Sequence, residues 1–238
     1  MNVQLLAHTP EPEKLITTAA KLCYSKTNAC GIYEKLTEEN VDKFIKMLAD
    51  LGHESPLEHA SFTFAIDGVS RSLLAQITRH RIASFSVQSQ RYVNLGDTFE
   101  YITPPVIASN SMYKELYDEA VNESFEAYKT LTAAITADLV TNGMERKKAE
   151  KIAIENARAV LPNACETKLI VTMNARELMH FFNKRCCNRA QDEIRALADE
   201  MLRLCKEVAP ILFSHAGAPC VSSACPEGKM SCGSPRKG

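Results

Sequence analysis

The stretch TKLIVTMNARELMHFFNKR, residues 167–185, contains both kinds of secondary structure that decide this fold. Residues 167–173 alternate between the two sides of an extended chain, which is the period of two that a strand produces. After Asn174 the apolar residues Leu178, Phe181 and Phe182 recur three and four positions apart, the spacing of an amphipathic helix. A strand that continues into a helix predicts a fold of mixed α and β elements.

The same periodicities predict further elements on both sides of this stretch. Strands are expected at residues 2–8 and 61–66, and loops around Gly31 and at 82–96. Helices are expected at about 11–23, 37–51, 70–81, 111–139, 144–160 and 190–208, with Thr37 and Ser70 as N-caps. The pattern predicts an α+β (α/β) fold, a single domain with helices around a central, mostly antiparallel sheet. We place that domain at residues 1–216 and a Cys-rich C-terminal tail at 217–238, loose unless something pins it.

The composition is that of an average globular protein. The chain has 238 residues, of which 45% are hydrophobic and 24% charged. No apolar run reaches the ~18 residues of a membrane span, and no basic leader precedes an apolar run at the start. We therefore expect a cytoplasmic protein that does not bind membranes. The nine cysteines then favour free thiols over a disulfide framework.

The net charge of −1 gives no general attraction to nucleic acid, so we expect no nucleic-acid partner. Locally the charge is uneven. No acidic residue occurs between Asp67 and Asp97, whereas four arginines do: Arg71, Arg79, Arg81 and Arg91. A positive region within a neutral protein indicates a small anionic ligand.

The segment RHRIASFSVQSQRY, residues 79–92, is the strongest local signal. On the expected helix end, Gln76, Arg79 and His80 share one face. Arg79 and Arg91 bracket a hydroxyl-rich loop, and guanidinium groups with serine hydroxyls are typical phosphate ligands. A solvated basic helix end followed by a polar loop is the structural alternative.

A second cluster begins at Asn174, where Arg176 and His180 lie one helical turn apart, opposite the apolar face. Asn174 could simply cap the helix, and Arg185 could simply complement the helix dipole at its end. Several polar residues beside one another at a strand–helix junction nevertheless favour a binding site.

Two further segments invite a metal. GHESPLEH, residues 52–59, has two histidines, but Pro56 interrupts any helix and the i, i+4 spacing of metalloproteases is absent, so a loop leading into a strand is favoured. Cys220, Cys225 and Cys232, with His215 nearby, could bind zinc or iron, but a free, oxidisable tail is the default. We assign no metal site. The Rossmann and P-loop glycine motifs are both absent.

The segment Arg79-His80-Arg81, followed by seven residues and Ser89, resembles the signature of the flavin-dependent thymidylate synthases. Blocks at 52–59, 157–162 and 174–185 resemble other parts of the same family in the same order. The resemblance implies a homotetramer of α/β subunits with active sites at subunit interfaces. It also implies FAD as cofactor, NADPH and 5,10-methylenetetrahydrofolate as co-substrates, and dUMP as the substrate that becomes dTMP.

The resemblance assigns roles by position. Arg185 is the candidate catalytic residue, which stabilises the ionised uracil ring. The residues implied to bind FAD are Ser55, Arg79, His80, Arg81, Asn174, Arg176 and His180, with His53 near flavin and folate. The residues implied to bind dUMP are Gln76, Arg79, Val87, Gln88, Ser89, Gln90, Arg91, Arg158 and Arg185, with Ser89 and Arg91 at the phosphate.

Two positions depart from the family pattern. Some relatives have Glu or Gln where Val87 stands, so Gln88 or only the loop backbone makes that contact; some have Asn at the position of His180. No cysteine is required for catalysis in this family. Two other hypotheses stay open: a non-catalytic nucleotide- or RNA-binding protein using the Arg79–Arg91 patch, and a thiol redox or metal-storage protein built on the tail.

Overall fold

The structure, a computed structural model, describes residues 1–96 and 99–236, apart from the side chains of residues 49 and 50. In these residues four strands form one antiparallel sheet of order β1–β2–β4–β3. The strands are β1 (Asn2–His8), β2 (Ser61–Ser70), β3 (Ala83–Val87) and β4 (Glu166–Asn174). The helices are α1 (Pro12–Leu22), α2 (Ala29–Lys35), α3 (Glu38–Leu51), α4 (Arg71–Ile77), α5 (Pro105–Ala108), α6 (Ser111–Thr141), α7 (Arg146–Ala157), α8 (Ala175–Arg185) and α9 (Asp192–Val208).

The predicted α+β class with an antiparallel sheet is confirmed. The chain divides into two compact units. The first comprises residues 1–66, 76–86 and 170–238, and the second comprises residues 67–75 and 87–169. Residues 170–238 belong to the first unit, and a separate tail beginning at residue 217 stays a prediction.

The core of the first unit holds α8 in place. Phe62 of β2 and Phe182 of α8 both make edge-to-face contacts with Phe213, at centroid distances of 5.5 and 5.9 Å. Phe181 and Leu178 of α8 are also fully buried. Because the apolar stripe of α8 is buried in this way, its polar side chains at 176 and 180 are left exposed.

The second unit is built on the long helix α6. Asn110 caps it by accepting hydrogen bonds from the backbone N–H of Met112 at 3.0 Å and of Tyr113 at 3.3 Å. Tyr128 of α6 is buried, and its hydroxyl donates to the Asn94 side chain at 3.2 Å. This contact anchors the chain that follows β3, where a substrate loop was predicted.

Three local predictions were wrong. Gly31 lies in α2, not in a loop, because the Asn28 side chain caps that helix by accepting from the Gly31 N–H at 2.8 Å. Helix α4 ends at Ile77, short of the expected Arg81, so Arg79 and His80 follow the helix. The expected loop at 82–96 begins with β3, where side chains alternate between intermediate and exposed.

Other local predictions are confirmed. Ser70 caps α4 by accepting from the Leu73 N–H at 3.0 Å, and the remaining predicted helices and strands are present with small shifts at their ends. The helices of the described residues are all too short or too polar to span a bilayer.

Candidate active site

The junction of β4 and α8 presents the second predicted cluster. Asn174 caps α8 by accepting from the backbone N–H of Glu177 at 2.9 Å, as predicted for its structural role. Arg176, in the first turn, is half-exposed and donates to Glu54 at 3.2 Å and to Glu58 at 2.5 Å. Both carboxylates belong to the segment 52–59, and Glu58 lies in its 3₁₀ turn, Ser55–His59. These ion pairs bring the two predicted segments together.

A cavity of about 730 Å³ opens beside this junction. Its wall includes three residues that the resemblance assigns to FAD, which are Asn174, Arg176 and His180. Lys184 and His215 add further donors. The wall therefore offers cations, two imidazoles and amides, the groups that bind phosphates and hydroxyls, together with the carboxylates of Glu54, Glu58 and Glu177.

A second cavity, of about 230 Å³, shares Glu54, Met179 and His215 with the first. Its wall is mostly apolar, with leucines at 48, 57 and 212, and it also includes His53. A polar cavity beside an apolar one suits a ligand that combines a flat ring with a charged tail.

Three polar side chains, two of them buried, form a hydrogen-bonded chain that reaches the wall of the first cavity at Glu177. The Nδ1 atom of His80 is 3.1 Å from Oε1 of Glu177, and only 6% of His80 and 7% of Glu177 is exposed. Arg185 donates from Nε to Nε2 of His80 at 3.2 Å and from an Nη atom to the carbonyl of Gln76 at 3.3 Å. Residues from α4, from the segment after it and from α8 are thus joined in the first unit.

Among the described residues, the hydrogen-bond partners of the Arg185 guanidinium are neutral, namely an imidazole and a carbonyl. Burial lowers the pKa of Arg185, and the nearby charge of Arg79 lowers it further. Two guanidinium groups close enough to repel each other form a site that an anion would stabilise.

Three further residues were predicted to belong to the site, namely Gln76, Ser55 and Arg81. The Gln76 side chain donates to Gln191 at the start of α9. Ser55 and Arg81 are both exposed, and in the described part of the chain neither side chain has a hydrogen bond or an ion pair.

The other predicted residues lie in the second unit. The backbone of Gln88 donates to Lys168 at 3.0 Å, which extends the pairing of β3, and Ser89 accepts from the Arg91 N–H at 3.2 Å. Among the described residues, Nε2 of Gln90 and Nε of Arg91 are buried donors without a hydrogen-bond acceptor. Elsewhere on the side chain, an Nη atom of Arg91 donates to the Tyr92 hydroxyl at 3.2 Å, and its Nε atom lies 3.4 Å from a Glu155 carboxylate oxygen.

Arg158 follows α7 and donates to the carbonyl of Glu155 at 3.2 Å. The pKa of Arg71 is lowered by burial and then by the charge of Arg158, so these two guanidinium groups also lie near each other. The second unit thus contains neighbouring guanidinium groups as well as buried donors that need acceptors.

Sequence reasoning did not assign Glu177 or Arg71 to the site. For Glu177 a signal existed: it lies four residues before Phe181 and therefore falls beside the buried stripe of α8, where a carboxylate needs a partner. Arg71 was noticed only as part of the positive region, because nothing in the sequence places it beside Arg158.

The tail folds onto the first unit. Arg236 donates to both carboxylate oxygens of Asp199, at 2.7 and 2.8 Å, and Asn188 donates to the carbonyl of Ser234 at 2.8 Å. A third cavity, of about 330 Å³, is lined by Lys184, Arg185 and four cysteines, Cys187, Cys220, Cys225 and Cys232. In the described residues no group of three metal-binding side chains is arranged to hold an ion.

The chain is thus an α+β protein with a polar cavity beside an apolar one and with guanidinium groups near one another, features that are typical of a protein that binds an anionic ligand. Residues 4–211 match the family described as thymidylate synthase complementing protein. The flavin-dependent thymidylate synthase of Clostridium tetani is 55% identical over 98% of this chain and 93% of its own length. Proteins of the same description from Geobacter sulfurreducens and Pyrococcus furiosus are 48% and 37% identical, over 98% and 95% of this chain and 94% and 90% of their own lengths.

The chain belongs to the family of flavin-dependent thymidylate synthases. The predicted family is thereby confirmed. The alternative of a non-catalytic nucleotide- or RNA-binding protein is not supported.

Proposed function

We propose that this chain catalyses the reductive methylation of dUMP to dTMP. The one-carbon unit comes from 5,10-methylenetetrahydrofolate and the reducing equivalents from NADPH through FAD. The observation that carries the proposal is Arg185, a partly buried guanidinium held by neutral groups next to Arg79. Family membership over nearly the whole chain supports the same reaction.

The donor set of the first unit fits FAD. The cavity of about 730 Å³ lies within the usual range of roughly 300–1,000 Å³ for ligand sites. Arg176, His180 and Asn174 would hold the cofactor there, with His53 at the apolar cavity beside it. Bound FAD would supply the redox chemistry, with NADPH as the source of electrons. Because Arg176 is paired with Glu54 and Glu58, those carboxylates must share or release it when a phosphate binds.

The dUMP ligands are those that the family resemblance assigns. Gln76, Arg79 and Arg185 would contact the base, and a guanidinium beside N3 favours the uracil anion. An electron-rich uracil is the better carbon nucleophile toward the one-carbon unit. Ser89, Gln90, Arg91 and Arg158 would bind the phosphate, and the two unsatisfied donors of this loop support that role. Val87 and Gln88 would contribute through the loop backbone.

The assembly is also part of the proposal. The family resemblance favours a homotetramer with active sites at subunit interfaces. A cytoplasmic location is likewise proposed, and the nine free cysteines agree with it, since thiols are kept reduced there.

The test is the visible absorption spectrum of the purified protein after FAD is added and the excess removed, with and without dUMP. Flavin bands that persist and shift with dUMP are expected, together with dTMP formation. Arg185→Ala should retain the flavin bands but lose about 10²- to 10³-fold in dTMP formation, the usual cost of removing a group that stabilises developing charge. Arg203→Ala, which breaks surface ion pairs of α9, is the matched control. Near-normal turnover in Arg185→Ala would refute the role of Arg185, and a protein that cannot retain FAD would refute the reaction.

A further inference from the structure

We propose that Glu177 is a positioning residue that sets the protonation pattern of His80 and, through it, the orientation of Arg185. This inference rests on the proposed function of Arg185. It adds a residue that neither the signature motif nor the family resemblance assigns.

The hydrogen bonds define one arrangement of protons. Arg185 Nε can only donate, so Nε2 of His80, 3.2 Å away, must carry a lone pair. A neutral imidazole with a lone pair on Nε2 has its proton on Nδ1. That Nδ1 atom lies 3.1 Å from the Glu177 carboxylate, which accepts the proton's hydrogen bond. The tautomer therefore follows from the contacts on its two sides.

Burial makes this arrangement specific. Only 5% of the His80 side chain and 8% of the Glu177 side chain is exposed, so water does not compete well for either group. The titratable groups that face His80 are Glu177, Arg185 and His180, and Phe181 lies edge-on at a centroid distance of 5.0 Å. Burial is the largest influence and lowers the pKa of His80, which agrees with a neutral ring.

The arrangement predicts what happens when Glu177 is lost. Without an acceptor at Nδ1, the imidazole proton can move to Nε2, where it points at the Nε–H of Arg185. Two donors facing each other repel, so Arg185 would lose one of its two contacts. Its remaining contact with the Gln76 carbonyl cannot by itself fix the plane of the guanidinium.

The first measurement is the ¹⁵N spectrum of histidine-labelled holoenzyme at neutral pH, with the His80 signals assigned from their loss in His80→Gln. We expect a neutral ring protonated at Nδ1. A ring protonated at Nε2, or at both nitrogens, would overturn the proposal without any reference to activity. A wild-type enzyme that shows the expected tautomer but forms no dTMP would instead refute the proposed function.

The second measurement compares tautomer and rate in two variants. Glu177→Leu removes the acceptor and should lose the Nδ1–H form, with kcat reduced about 10- to 100-fold, as when the orienting partner of a functional group is removed. Flavin bands should persist. Unchanged kcat with an unchanged tautomer in this variant would overturn the proposal.

Glu177→Gln keeps the shape, and its amide can either accept from Nδ1–H or donate to a bare Nδ1. Whichever way it turns, tautomer and rate must agree: Nδ1–H with kcat near wild type, or Nε2–H with the low kcat of Glu177→Leu. A mismatch between tautomer and rate in this isosteric variant would overturn the proposal even if Glu177→Leu fails to fold. Glu200→Gln, which alters a surface ion pair of α9, is the control and should change neither measurement.

Discussion

His80 determines how the site should respond to acid. Its pKa is lowered chiefly because burial disfavours the imidazolium form; Arg185 and His180 act in the same direction, and Glu177 opposes them. In the unfolded chain the pKa returns to its ordinary value of about 6.5. Below that value the unfolded state binds more protons than the folded state, so the free energy of unfolding falls as the pH falls.

We therefore predict that the stabilisation linked to a neutral His80 is fully present above about pH 6.5 and is lost as the pH falls through the lowered pKa. Urea unfolding at several pH values between about 5 and 8 measures it, and His80→Gln should flatten this part of the curve. His8→Gln, at an exposed position, is the control and should leave the slope as in the wild type. Parallel curves for wild type and His80→Gln would contradict the prediction.

The signature residues were predictable from the sequence as a group, but their contacts were not. Arg79 and His80 were expected on a helix face, whereas α4 ends at Ile77 and both residues follow it. The expectation that Gln76, Arg79 and His80 share one helix face therefore fails, because the helix does not continue to residues 79 and 80. The bond from Arg185 to His80 joins residues 105 positions apart, and no local pattern encodes such a distance.

At the scale of elements, the agreement between the predicted and the observed helices and strands depends on how strongly an element is buried. Helix α8 was predicted to follow Asn174, where it does begin, because its apolar stripe and its Asn174 cap are both visible in the sequence. Strand β3 was not predicted, because serines at 84 and 86 made an alternating strand look like a polar loop. Helix α2 was missed because Gly31 indicates a loop, and only the Asn28 cap outweighs that preference.

The tail is the element whose behaviour can be tested most directly. Arg236 ties it to α9 through Asp199 and to the end of α8 through the carbonyl of Cys186. The backbone N–H of Arg236 also contacts the sulfur of Cys220 at 3.3 Å. The expected looseness is therefore limited by specific contacts in residues 217–236.

We predict that Arg236→Ala releases the tail and speeds the reaction of Cys220, Cys225 and Cys232 with a thiol reagent. Cys165 should stay slow, because burial raises its pKa to about 11. Labelling followed by peptide mass spectrometry measures each site. Arg203→Ala, whose ion pairs lie within α9, should leave the tail thiols at wild-type rates. Equal tail labelling in Arg236→Ala and wild type would mean that other contacts hold the tail.

At the scale of the whole molecule, the proposed dUMP ligands fall into two groups. Gln76, Arg79 and Arg185 belong to the first unit, and the loop 87–91 with Arg158 belongs to the second. In the first group burial and the charge of Arg79 lower the pKa of Arg185, and in the second Nε of Arg91 and Nε2 of Gln90 are buried without a hydrogen-bond acceptor among the described residues, so each group would gain from an anion. In an assembly with active sites at subunit interfaces, one copy can supply the first group and another copy the second.

This arrangement predicts complementation between inactive variants. Arg185→Ala and Arg91→Ala should each form little dTMP alone, but hybrids of the two, co-expressed with different affinity tags, should recover activity. If each site takes one residue from each of two randomly mixed subunits, about a quarter of the sites have both arginines intact. Hybrids of Arg79→Ala and Arg185→Ala are the matched control. These two residues lie near each other within one unit, so every copy of that unit lacks one of the two arginines and no intact site can form. Recovery near a quarter in the first pair and none in the second would show that the active site is shared between copies. No recovery in either pair would instead assign both groups of each dUMP site to a single subunit.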